Sequence, residues 1–378
     1  MTANLDNKLK VAMIGVGDIT DLHHPAYVDF DLAELYMLCD TNSFQLEQRV
    51  LQWGVDRITT DYRDVLRDPD VDIVEINTPH HLHRKLSVEA LEAGKHVACQ
   101  KPMAVTITEC EALIEAEKTS PGRFRVMENF VFYPPYIKAL ELIQNGEIGE
   151  PLTIRFKLGS GLFGSSFIPS QNVKPVRLRS ELWHLMEVEK GMGQAVFDDG
   201  YHKCSLAIWF FGQVQSVLGF IDRSFGYIDQ PGQLIWRYCE GQIIGSFDLA
   251  FSPNLYTCSP YFPADERVEV IGTKGLINLT GCTGRLTDDA PLILYRDGRT
   301  TLFEDLPCDW QDSFINGIRD FPRGIIDDRP VDLTAERGTD VLRLAYAFIL
   351  AAHTGTEIRP DELTDEMIAK TLGLEERQ

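Results

Sequence analysis

The chain has 378 residues, is 44% hydrophobic and carries a formal charge of −21. It is long enough to bury a large core in two domains, and its acidity disfavours nucleic acid and anionic membrane surfaces as partners. No apolar run is long enough to span a bilayer and MTANLDNKLK lacks the apolar centre of a secretion signal, so a cytoplasmic protein is expected.

In chain order, the first third alternates short apolar runs with helical stretches, the pattern of a parallel sheet covered on both faces. Strands are predicted at Lys10 to Ile14, Ala33 to Cys39, Val71 to Asn77, His96 to Cys99 and Phe124 to Met127. A helix from Arg84 to Ala93 stops at Gly94, and Thr108 with Glu111 reads as a capping box for a helix from Glu109 to Lys118. Tyr133-Pro134-Pro135 marks the crossing into a second domain. Beyond Pro151 the pattern changes to strands at Leu152 to Lys157, Val214 to Ile221, Leu234 to Cys239, Ile243 to Phe251 and Val268 to Ile271. With few helices between them, they predict a mostly antiparallel sheet. Gly159 to Pro175 reads as a loop, and Asp312 to Asp320 and Ala335 to His353 as helices, the latter stopped by Gly355.

Three motifs carry chemistry. Gly15-Val16-Gly17-Asp18-Ile19-Thr20 is a glycine-rich turn from strand to helix, where a backbone can approach a pyrophosphate. Asp40 ends the second strand, placed to accept hydrogen bonds from ribose hydroxyls; the alternative is that it caps the next helix. Thr41-Asn42-Ser43 offers no arginine for a 2′-phosphate, which favours NAD over NADP. Lys101-Pro102 follows a strand, and Asp198 and His202 stand four residues apart, so on a helix the carboxylate can orient the imidazole. The eight cysteines contain no C-x-x-C pair, so buried thiols are expected. His80, His81 and His83 lack nearby acids or cysteines to complete a ligand shell, so no metal is expected.

The ordered set Gly15-Val16-Gly17, Asp40, Thr78-Pro79 with His81-Leu82-His83, Ala93-Gly94-Lys95-His96-Val97, Lys101-Pro102, Asp198-x-Gly200-x-His202 and Ile271-Gly272-Thr273-Lys274-Gly275 resembles the Gfo/Idh/MocA oxidoreductases. The resemblance implies an N-terminal Rossmann domain with a parallel sheet, over residues 1–128. It implies a C-terminal α/β domain with a large, mostly antiparallel open sheet, over 129–378, which commonly mediates dimers or tetramers. It makes Lys101 the active-site lysine and Asp198 with His202 the catalytic pair. Gly15, Gly17, Asp18, Ile19, Asp40, Thr78, Pro79, His83, Gln100, Lys101 and Asn129 become cofactor contacts. Tyr133, Trp183 and His184 join Lys101, Asp198 and His202 as substrate contacts. The chain departs from the family pattern at Gln100, where glutamate is usual, and at His80, Val131 and Ser205.

The expected activity is therefore NAD-dependent oxidation of a hydroxyl on a sugar, sugar derivative or cyclic polyol. Two alternatives are an NAD-using glycosidase or lyase that oxidises transiently, and a non-catalytic nucleotide sensor; retention of Lys101, Asp198 and His202 argues against the sensor.

Overall fold

The computed structural model of the chain describes residues 8–160, 194–222, 230–252, 255, 257, 259, 261, 264–281, 283–284 and 286–373. They form two compact units: the first holds the residues up to Asn129 together with Phe314–Thr339, and the second holds the remainder. The division read from sequence puts Phe314–Thr339 in the second domain. In the fold Val126 N–H donates to Leu333 O at 2.9 Å, and buried Arg125 pairs with Asp320 at 3.2 Å. Pairings between segments so far apart in sequence leave no periodic signal.

The first unit is built on a parallel sheet of β1 (Leu9–Ile14), β2 (Ala33–Cys39), β3 (Ile58–Thr59), β4 (Ile73–Ile76), β5 (His96–Gln100) and β6 (Phe124–Met127), in the order β3-β2-β1-β4-β5-β6. Strands such as Val11 to Ile14 and Ile73 to Ile76 are buried along their whole length, as expected where helices cover both faces. Helices α1 (Thr20–His23), α2 (Ser43–Trp53), α3 (Tyr62–Arg67), α4 (His83–Glu92) and α5 (Ile107–Thr119) supply the cover. The strand order reverses between β1 and β4, and at such a switch point ligands settle outside the carboxyl ends of the strands.

The cap of α5 lies two residues earlier than the sequence suggests. Thr106 is the N-cap, its hydroxyl accepting from Glu109 N–H at 3.1 Å, and the Glu109 carboxylate in turn takes Val105 N–H at 3.0 Å. Both threonines match the capping pattern; the burial of Ile107 in the first turn selects Thr106.

The second unit begins with α6 (Pro134–Gln144) and carries a sheet of β7 (Pro151–Ser160), β8 (Val214–Ile221), β9 (Gly232–Tyr238), β10 (Ile244–Phe251), β11 (Ala264–Gly272), β12 (Gly275–Thr280), β13 (Leu292–Arg296) and β14 (Arg299–Phe303). The order is β14-β13-β12-β11-β7-β10-β9-β8; β7 and β10 run parallel and the other neighbours antiparallel. Ile154, Phe156, Leu158, Leu234, Trp236, Phe247 and Leu249 line its buried face. Trp236 lies across Gly245, where a Cβ would fall 1.9 Å from the indole, so only glycine fits. The other face leaves Phe220, Ile235, Ile244, Tyr295 and Leu302 exposed. Gly159 and Ser160, expected in a loop, continue β7 and pair with Asp265 and Ala264 of β11; the rest of that expected loop lies outside the described residues.

Among the described residues, Cys39, Cys99, Cys110 and Cys204 are buried, and burial pushes the Cys39 and Cys99 thiols up to about 12. Cys239 departs from expectation by being exposed, because it follows β9 into a surface turn. No helix among the described residues is long and apolar enough to cross a membrane.

Candidate active site

At the end of β1 the chain turns through Gly15, whose φ of +87° is reached without strain only by glycine. A Cβ there would stand 2.7 Å from Asn77 O, so the missing side chain is also what lets β1 and β4 close together. At Gly17 no atom of the described residues beyond its chain neighbours lies within 4 Å of where a Cβ would be, which leaves the backbone open to a ligand. Asp18 is exposed and Ile19 half-buried beside it, while Thr20 is buried, its hydroxyl donating to Gly17 O at 2.5 Å. Asp40 faces this turn: one carboxylate oxygen accepts Val16 N–H at 2.9 Å and the other Asn42 N–H at 2.8 Å. It does not cap α2, since Asn42 does that by accepting from Gln45 N–H at 3.3 Å. Each Asp40 oxygen keeps a lone pair for a further donor.

Arg49, which the sequence reading passed over, anchors the turn from below. It is 4% exposed. Its Nε donates to Val16 O at 3.1 Å, Nη2 to Gly17 O at 3.2 Å and Asp21 Oδ2 at 3.2 Å, and Nη1 to Asp21 Oδ1 at 2.5 Å and Gln52 Oε1 at 2.8 Å. All five of its N–H donors are thereby occupied. The guanidinium also lies over the Trp53 ring, 4.6 Å from the centroid.

Past β4, Asn77 Oδ1 and Thr78 Oγ1 are buried with no hydrogen-bond partner among the described residues. Buried polar atoms are costly to leave unmade, so two of them beside an open glycine turn mark a place for a polar ligand. Pro79 is exposed next to them. Gly17, Asp40, Asn77 and Thr78 follow the carboxyl ends of β1, β2 and β4, where ligands of such sheets settle. His83 is fully buried, with Nδ1 2.8 Å from Pro102 O and Nε2 2.7 Å from Thr78 O. Both its nitrogens are taken by the protein, so it ties the Thr78-Pro79 loop to Lys101-Pro102 rather than offering an atom to a ligand. Burial lowers its pKa against the opposing pull of the two carbonyls.

Lys101 is half-buried, and its backbone N–H donates to Gln100 Oε1 at 2.7 Å. The Gln100 amide nitrogen is 3.1 Å from His23 Nε2, and His23 Nδ1 is 2.7 Å from Glu75 Oε1. Neither His23 nor Glu75 has any exposed surface. Asn129 closes this part of the chain and is 6% exposed. Glu75 stands inside the apolar β4 run, the one feature of the sequence that could have announced the network.

In the second unit, a π-helical turn at Gln194–Asp199 leads into α7 (Gly200–Phe211). Asp198 belongs to that turn and His202 to the α-helix, so their four-residue spacing spans a change of helical geometry, where a plain helical face was expected. His202 is 7% exposed and stacks on Phe130, with centroids 4.2 Å apart and planes inclined by 21°. Lys203 places its ammonium 4.4 Å from the same ring centroid and pairs with buried Glu266, which also accepts from Thr283 Oγ1 at 3.1 Å. Tyr133 is fully buried, donating its hydroxyl to Cys308 O at 3.1 Å and meeting Tyr136 edge-on; it is packed as core. Trp183 and His184 lie outside the described residues. Among the described residues no group of three or more histidine, cysteine or acidic side chains is arranged to hold a metal ion.

Comparison with known proteins places this geometry. Residues 9–128 match the NAD-binding Rossmann-fold model of the Gfo/Idh/MocA oxidoreductase family, and residues 136–278 match that family's C-terminal domain. A myo-inositol 2-dehydrogenase of Thermotoga maritima is 24% identical over 90% of this chain and 95% of its own length. A D-apiose dehydrogenase of Paraburkholderia graminis is 26% identical over 98% and 94%. A levoglucosan dehydrogenase solved with NADH and levoglucosan shares the fold, with a TM-score of 0.75 at 20% identity, over 94% of this chain and all (100%) of that one. With a six-stranded parallel sheet, a glycine turn at its switch point and both family domains in order, the chain belongs to the Gfo/Idh/MocA family of NAD-dependent oxidoreductases.

Proposed function

We propose that the protein oxidises a hydroxyl of a sugar, sugar derivative or cyclic polyol. The observation that carries the reading is the open backbone at Gly17, past the carboxyl end of β1, together with buried oxygens of Asn77 and Thr78, past β4, that have no partner among the described residues. The relatives act as dehydrogenases of myo-inositol and D-apiose, which supports a polyhydroxylated substrate. NAD, when bound, supplies the hydride acceptor.

The chain's own residues handle the proton and the charge. His202, held flat against Phe130, takes the hydroxyl proton, with Asp198 orienting it, and Lys101 stabilises negative charge growing on the substrate oxygen. Gly15, Gly17, Asp18 and Ile19 receive the pyrophosphate, Asp40 the adenosine ribose, and Thr78, Pro79, Gln100 and Asn129 the nicotinamide end, with His83 bracing them. Trp183 and His184 contact the substrate. NAD is preferred to NADP: Asp40 repels a 2′-phosphate, and the nearby Arg49 has no N–H left to hold one. The apolar open face of the second sheet, with Phe220, Ile235 and Leu302, serves a second copy of the chain in a dimer or tetramer.

The test is the absorbance of reduced nicotinamide when the purified protein meets NAD with myo-inositol, D-apiose, levoglucosan and a set of glycosides. Steady NADH formation with a polyol or sugar is the expected result. Loss of a glycoside with no net NADH would replace the dehydrogenase by a redox-assisted glycosidase.

A further inference from the structure

The first unit contains a polar chain, buried at its His23–Glu75 end, that none of the motifs explains. It runs from the Lys101 peptide through the Gln100 side chain and the His23 ring to the Glu75 carboxylate, with steps of 2.7, 3.1 and 2.7 Å. Hydrogen bonding gives it one direction. A peptide N–H can only donate, so Gln100 turns its oxygen to Lys101 and its NH2 to His23. His23 Nε2 must then accept, which leaves the proton on Nδ1 to be donated to Glu75. Glu75 is completed by Asn77 Nδ2 at 2.8 Å on the same oxygen and by the Tyr27 hydroxyl on the other.

We propose that Glu75, His23 and Gln100 are positioning residues for Lys101, a directed hydrogen-bond chain that fixes the Lys101 peptide and keeps its one negative charge at the far end, away from the lysine. The proposal rests on the reading of Lys101 as the residue that meets the substrate oxygen. Its physical basis is a directed anchor: Lys101 follows β5 at the rim of the sheet, where a peptide held by solvent alone would be loose, and here it is tied through the half-buried Gln100 side chain to His23 and Glu75, which have no exposed surface. A glutamate at position 100 could receive the Lys101 N–H equally well, but it would present an acceptor to His23 Nε2. His23 would then have to be protonated on both nitrogens, and a second carboxylate would lie next to Lys101. Gln100 avoids both.

Two measurements on the full-length enzyme test this. The imidazole nitrogen NMR spectrum of wild type, with His23 assigned by its loss in His23→Leu, should show a protonated Nδ1 and a bare Nε2 at neutral pH. Gln100→Glu should turn both nitrogens into protonated ones. A protonated Nε2 in wild type overturns the direction and the proposal with it. Kinetics come second, with NAD and whichever of myo-inositol, D-apiose or levoglucosan is turned over. His23→Leu should lower kcat about tenfold, roughly a 1.4 kcal/mol rise in barrier, with the NAD dissociation constant changed less than about threefold. His23→Gln, whose amide can still accept from Gln100 and donate to Glu75, should recover part of the loss. Equal losses in the two variants, or a loss carried by NAD binding instead of kcat, would overturn positioning in favour of a merely structural role. Lys101→Met separates the two readings. If it keeps turnover, the lysine's role fails and the purpose of the chain with it; if it loses turnover while His23→Leu keeps it, the positioning chain alone fails.

Discussion

Replacing Arg49 by methionine removes all five guanidinium donors from beneath the glycine turn while keeping much of the stem's volume. Hydrogen bonds to a charged group contribute about 1.5–3 kcal/mol each, but the five do not simply add. Val16 O keeps the Gln45 amide at 3.1 Å and Gly17 O keeps Thr20 N–H at 3.1 Å, so neither carbonyl is orphaned. What is lost outright is the ion pair with Asp21, whose partners are 4% and 24% exposed, and the contact with Trp53, about 0.5–1 kcal/mol. Breaking a fully buried pair costs about 3–5 kcal/mol. Because Asp21 reaches water, we expect a total of about 2–4 kcal/mol in urea unfolding. NAD affinity, measured by calorimetry on the folded variant, should fall about tenfold as the turn loses its anchor, a change of about 1.4 kcal/mol. A double-mutant cycle with Asp21→Asn should return a coupling of at least about 1 kcal/mol. A stability loss under about 0.5 kcal/mol, the scatter of ordinary surface substitutions, would refute the role given to Arg49.

Further outcomes follow from the same unit. Gly15→Ala combines positive φ with a clash on Asn77 O, and should weaken NAD binding more than tenfold and lower the thermal midpoint; an unchanged NAD dissociation constant would contradict the turn. Asp40→Ala should weaken both dinucleotides, because it frees Val16 N–H and Asn42 N–H, but NAD more than NADP; equal losses by calorimetry count against the ribose contact. Burial holds His24, His83 and His96 below their ordinary pKa. Below about pH 6.5 the unfolded chain therefore binds protons that the folded chain refuses, so stability should fall as pH drops from 7.5 to 5.5. Glu117, raised chiefly by burial, acts in the opposite sense and nearer the carboxylate range. A urea midpoint that stayed level or rose on acidification would contradict the histidine assignment.

What was legible in the sequence was what depends on local pattern. Phe124–Met127 and Val214–Ile221 have the bounds that alternation and apolar runs indicate. The parallel sheet and the mixed sheet follow from how strands and helices alternate. Where two local signals competed, as with Thr106 and Thr108 at the start of α5, burial of Ile107 decided, and burial is a tertiary fact. Short strands such as Ile58–Thr59 and edge strands such as Arg299–Phe303 carry too few apolar residues to be read. The polar machinery was least legible. Arg49 sits in a helix that shows no motif, and His23 needs partners from β4 and β5, so neither role exists until the strands are side by side. Tyr133, expected to contact substrate, is core for the same reason: its hydroxyl meets Cys308 O, a partner far away in sequence.

The most direct test of the central claim follows the hydrogen itself. The enzyme is given NAD and whichever of myo-inositol, D-apiose or levoglucosan it turns over, deuterated at the carbinol carbons, and the dinucleotide is analysed by mass spectrometry. The account predicts reduced nicotinamide carrying one deuteron, formed in step with a carbonyl product. Deuterium released to solvent, or substrate consumed while NAD stays oxidised and unlabelled, would contradict it.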